Sequence, residues 1–131
     1  MRKYLFIVLF VVAWGCSNNG INQEGYFKDK GKNRIRTFSF DSFVKIEDIK
    51  KHGKKSMHTA GSLTALYYYP IGARIPRDGV TLADNMWNAN LSINYFAEEI
   101  DYVYMIDHGG KHWFTDCIEN PDDALCKNNL E

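Results

Sequence analysis

Two histidines four residues apart, His108 and His112, are flanked by Asp107 and Asp116. Zinc accepts two imidazoles and a carboxylate and keeps a fourth position open, so these side chains are candidate ligands if a hairpin folds them together. Gly109-Gly110 is a sufficient reason for a tight turn without a metal. His52 and His58 carry no partner signature around them and read as surface residues. Cys117, near His112, is a conceivable thiol nucleophile, but Cys126 nine residues on offers it a disulfide partner. No Gly-x-Ser-x-Gly elbow and no glycine-rich phosphate loop occurs. Nothing in the chain names a cofactor, and no motif carries an enzymatic mechanism.

The elements that would position these residues follow from periodicity. Ile35 to Phe40 alternates polar and aromatic side chains and reads as a strand. Val44 to about Lys55 carries Ile46 and Ile49 at helical spacing, with Gly53 weakening its end. Ser62 to Tyr69 is a dense β-favouring run stopped by Pro70-Ile71-Gly72. Pro76-Arg77-Asp78-Gly79 makes a turn, and Thr81 with Asp84 reads as a capping box opening a helix to about Glu98. Asp101 to Asp107 and Lys111 to Asp116 are strands joined at His108-Gly109-Gly110. The order β-α-β-α-β-β predicts a two-layer α+β domain, with helices on one face of a mainly antiparallel sheet.

The first residues belong to an address and not to that domain. Arg2 and Lys3 precede an apolar run from Tyr4 to Trp14, too short to span a bilayer as a helix, which needs about 20 residues. Ala13-Trp14-Gly15-Cys16 resembles a bacterial lipobox, in which a small residue precedes the cysteine that receives diacylglycerol. The resemblance implies a signal peptide over 1–15 and a mature chain beginning at a lipidated Cys16, anchored in the bacterial envelope, facing the periplasm and most simply in the outer membrane. Lipidation also settles the cysteine count. Three cysteines become an even pair, Cys117 and Cys126, expected to be bridged in an oxidising compartment.

Residues 16–33 are polar and Gly-rich without a period and read as a flexible tether, leaving residues 34–131 as a single domain. Charge is unevenly placed. Residues 28–55 hold ten Lys or Arg against four Asp or Glu, and residues 78–131 hold two against eleven. The basic half would attract anionic head groups, although its interleaved Asp29, Asp41, Glu47 and Asp48 fit an ordinary solvated face. Outside the cytoplasm nucleic acid is not an expected partner.

The long helix carries the most information. At about 100° per residue, Leu82, Met86, Ala89, Ile93 and Phe96 fall on one stripe, the expected core face. Trp87, Leu91 and Tyr95 form a second stripe nearly opposite, with Asn85, Asn88, Asn90 and Asn94 between. A helix covering one sheet face needs a single apolar stripe, so the second either packs under a loop or meets a partner. The sequence therefore points to a non-enzymatic envelope lipoprotein that docks another envelope protein, as an accessory module of the kind a secretion or conjugation apparatus uses. The competing class is a periplasmic binder of a small ligand, metal or peptidoglycan fragment through sheet aromatics such as Tyr68 and Trp113, followed by an unrecognised hydrolase.

Replacing Cys16 by Ser should abolish incorporation of labelled fatty acid and leave an unprocessed precursor. Cleavage of that variant to a soluble mature protein at the normal rate would contradict the lipobox.

Overall fold

The computed structural model describes residues 19–127, so Cys16 and the expected signal peptide over 1–15 lie outside the described residues. Five strands form one sheet in sequential order: β1 (Ile21–Lys28), β2 (Arg34–Phe40), β3 (Thr64–Pro70), β4 (Tyr102–Ile106) and β5 (His112–Asp116). Neighbours are antiparallel except β2 and β3. A parallel pair cannot be joined by a tight turn, and helix α1 (Ile46–Lys54) makes the crossover. Between β3 and β4 come α2 (Asp78–Thr81), α3 (Met86–Tyr95) and a 3-10 turn (Ala97–Glu99). A last short helix, α4 (Ala124–Lys127), follows β5.

Strand β1 corrects the expectation of a tether over 16–33. Its hydrophobic residues are few, but a bulge between Gln23 and Gly25 inserts one extra residue against β2. Because strand side chains alternate, one inserted residue moves those beyond it to the opposite face. Ile21 therefore packs on one side of the sheet, and Phe27, six residues later, on the other. Packed strand structure is therefore present from Ile21 and not only from near Arg34.

The α+β class and mainly antiparallel sheet are as expected, but the helices divide between the two faces. Strand β3 explains why. Ala65, Tyr67 and Tyr69 point to one side, Leu66 and Tyr68 to the other, and all five are buried. On the Leu66–Tyr68 side lies α1, with Ile49 fully buried. Gly53 sits against the Tyr104 ring, where a Cβ would collide, so the glycine permits close helix approach instead of merely weakening the helix. On the opposite side Val80 of α2 and Ala89 and Ile93 of α3 join Phe27, Ile35, Ile100 and Val103.

The single helix expected from Thr81 to Glu98 is broken. Leu82 ends α2 and is exposed, which removes it from the core stripe. The Thr81 hydroxyl accepts from Tyr26 N–H of β1 at 3.2 Å, so it caps no helix. Asn85 is the N-cap of α3, its side chain accepting from Asn88 N–H at 2.9 Å. Cys117 and Cys126 are disulfide-bonded, with Cα atoms 5.6 Å apart. Closing this short loop contributes about 2 to 3 kcal/mol and holds both sulfurs in the core beside Ile100.

Sheet topology also sorts the charges. The starts of β1 and β4 and the ends of β2, β3 and β5 share one end of the sheet. Lys28, Lys30, Lys32 and Arg34 surround the β1–β2 turn at the other end, which α1 also approaches with Lys54 and Lys55 before the start of β3. Much of the basic half thus lies away from where the chain enters β1.

Candidate functional site

Helix α3 presents two faces. Ala89 and Ile93 are fully buried and Met86 half-buried, whereas Trp87, Leu91 and Tyr95 are 57%, 36% and 81% exposed. The three expected docking residues thus share an open ridge, and no loop among the described residues covers them. No residue from Met86 to Tyr95 is charged. Past Tyr95 the ridge runs into a groove of about 510 Å³ walled by Asn94, Tyr95, Glu98, Pro121, Lys127 and the disulfide. The ridge itself, apolar side chains bordered by polar amides, has the composition of an interface centre, where charge is scarce and aromatics are enriched, whereas the groove beyond it also carries Glu98 and Lys127.

The candidate metal ligands do not gather. Asp107 Oδ1 accepts from Gly109 N–H at 3.0 Å and Lys111 N–H at 2.9 Å, and Oδ2 accepts from Trp113 Nε1–H at 2.9 Å. These bonds hold its carboxyl below the ordinary carboxylate range. Its work is to close the β4–β5 turn. His108 is exposed on that turn, and Asp116 Oδ1 accepts from Ile118 and Glu119 N–H. His112 Nδ1 is 2.6 Å from the Tyr104 hydroxyl. Among the described residues no group of three or more His, Cys, Asp or Glu is placed to hold a metal ion. The disulfide likewise removes Cys117 as a nucleophile.

His52 and His58 are not simple surface residues. His52 Nδ1 lies 2.8 Å from the Tyr68 hydroxyl, and its ring meets Phe38 edge-on with centroids 4.6 Å apart. Phe38 in turn stacks on Tyr68 at 5.1 Å. His58 Nδ1 is 2.8 Å from Thr64 Oγ1. Burial first, and Arg36 second, lowers the His52 pKa from its ordinary 6.5. His58 is lowered too, by burial, then Arg34, then His112, against a smaller opposing effect of Asp107. Burial raises the Tyr68 pKa, so its phenol stays neutral. The His52–Tyr68 pair satisfies polar groups under α1, whereas His58 Nε2 is buried without a hydrogen-bond partner among the described residues. The grooves beside Tyr95 and beside Met86 are not lined by Tyr68, Trp113 or His112.

The signal for the His52 contact was available in helical spacing, since His52 lies three residues after Ile49 and shares its face. Ser42 and Lys45 stand at the Ser-x-x-Lys spacing of some nucleophilic serines, but both are exposed in the loop before α1 and no hydrogen bond joins them. No family model, curated protein or solved structure matches this chain.

The lowered histidines fix the sign of a pH effect. Below about pH 6.5 the unfolded chain takes up protons at His52 and His58 that the folded chain refuses, so stability falls as pH drops through that window. His52→Asn keeps a polar atom near the Nδ1 position and removes the titration. Its melting temperature should decline less than that of the unaltered protein between about pH 7.5 and about pH 5.5. Equal declines in the two proteins would contradict a role for His52 burial; Asp101, whose pKa is raised by burial and by Asp116, is common to both.

Proposed function

We propose that this chain is a non-enzymatic, lipid-anchored protein of the bacterial envelope that docks a second envelope protein through the α3 ridge. The observation that carries the reading is the exposure of Trp87, Leu91 and Tyr95 on a helix already held by its other stripe. Burying an exposed apolar surface in water gains roughly 25 cal/mol per Å², and Trp and Tyr concentrate binding energy at interfaces because they are large, rigid and amphipathic. The uncharged ridge makes association depend on fit and burial, and therefore only weakly on salt. The lipobox-like sequence supplies the address, and the buried Cys117–Cys126 bridge suits an oxidising compartment.

Catalysis receives no comparable support. The metal candidates are separated among the described residues, the thiols are bonded to each other, and His52 and His58 each hydrogen-bond a hydroxyl.

A photoreactive amino acid placed at Leu91 should, on illumination of intact membranes, give an adduct of discrete mass. Adding Trp87→Ala should abolish that adduct, and raising the salt concentration should not. The same probe at Lys54, on the far side of the sheet, should give none. No adduct from Leu91, or the same adducts from both positions, would contradict docking at this ridge.

A further inference from the structure

Three large apolar side chains protrude from one end of the sheet: Phe43 is 65% exposed, Ile71 62% and Ile118 60%. Phe43 follows β2, Ile71 follows β3 and Ile118 follows β5, and these three strand ends lie together. The chain also enters the domain here. Asp41 N–H donates to Gly20 O at 2.9 Å, Ile71 N–H donates to Phe40 O at 3.0 Å, and the Phe43 ring packs directly over Gly20. Ile21 N–H donates to the Asn19 side chain at 3.1 Å, so the chain is already tied to the domain at Asn19.

The distance from there to Cys16 is short. Three residues span at most about 11 Å even when fully extended, while the polar layer on each side of the hydrocarbon core is only about 5 to 8 Å thick. With diacylglycerol on Cys16, the end of the sheet bearing Phe43, Ile71 and Ile118 is held against the bilayer and not at the far end of a long tether. We propose that this sheet end is a membrane-contacting face, its three apolar loop residues seated among the lipid head groups and upper acyl chains. The inference rests on the lipid-anchor reading and adds to it the orientation of the domain.

Charge does not draw this end to anionic lipid, so the contact rests on apolar seating, which must outweigh the repulsion of nearby carboxylates. At this end stand Asp41, Asp101, Asp116 and Glu119, with Lys45 and with an Arg74 bonded to Glu99 at 2.7 Å. The lysines of the β1–β2 turn lie at the opposite end. Exposed Met57, in the loop before β3, also lies at that opposite end and supplies the control position.

The test uses the full lipoprotein in vesicles of phosphatidylethanolamine and phosphatidylglycerol. In a background with Trp87→Phe and Trp113→Phe, a single tryptophan is introduced as Phe43→Trp, Ile71→Trp, Ile118→Trp or Met57→Trp. Bromine high on the acyl chains should quench the first three and leave the fourth bright. Bromine deep in the chains should quench the first three only weakly, as for residues seated about 5 to 10 Å into the interface, and leave the fourth bright. If the protein floats with the vesicles and all four tryptophans remain equally bright, the contact face is overturned while the anchor stands. Mass spectrometry showing no diacylglycerol on Cys16 would overturn both.

Discussion

Strand β3 is apolar on both faces, and the arrangement of the domain follows from the need to cover both. A sheet that faces water on one side alternates apolar with polar residues, whereas Ala65-Leu66-Tyr67-Tyr68-Tyr69 leaves no polar side for solvent. Helix α1 covers Leu66 and Tyr68, and α2 with α3 covers Ala65, Tyr67 and Tyr69. Putting α1 on the crossover between β2 and β3 makes that pair parallel, and the second helical segment returns the chain to β4 antiparallel to β3. Each helix meets this demand with a single buried stripe. What α3 carries on its other side is therefore not required by the fold.

The elements with strong local patterns were legible in the sequence: β3 from its aromatic run, the β4–β5 hairpin from His108-Gly109-Gly110, α1 from Ile46 and Ile49, and the cysteine pair from its arithmetic. Where reading failed, a local pattern had been interrupted by tertiary structure. The bulge near Glu24 breaks the two-residue period of β1 by sending Ile21 and Phe27 to opposite faces. Leu82 fits a helical stripe numerically, but Thr81 is drawn to β1 and Asn85 starts a new helix, so the stripe is split. The placing of helices on both faces was implicit in β3 itself, because a strand without alternation needs two covers.

The candidate site was partly legible for the same reason. The stripe Trp87, Leu91 and Tyr95 lies wholly within α3, where helical spacing holds, and all three side chains are exposed. The proposed metal set depended on side-chain directions that spacing does not fix. Asp107 turns back to close its own hairpin while His112 meets Tyr104. Helix α3 begins near Lys28 to Gly31, where Met86 lies, and ends near Ile100 and Cys117, where Tyr95 lies. With the opposite end of the sheet from Lys28 seated on a bilayer, as proposed, the ridge runs away from the membrane surface and faces sideways, open to a neighbour in the same membrane.

The central claim is that α3 is held by one stripe and offers the other, and comparative melting tests it most directly. Ile93→Ala removes a fully buried side chain and should cost about 2 to 5 kcal/mol, a large share of the roughly 5 to 15 kcal/mol that stabilises a domain. Trp87→Ala and Tyr95→Ala should each cost less than about 1 kcal/mol, as surface truncations do. Melting temperatures of the two ridge variants close to that of the unaltered protein, with Ile93→Ala well below, are the predicted result. Ridge variants that melt as low as Ile93→Ala would show that the second stripe belongs to the core, and would remove the physical basis for docking.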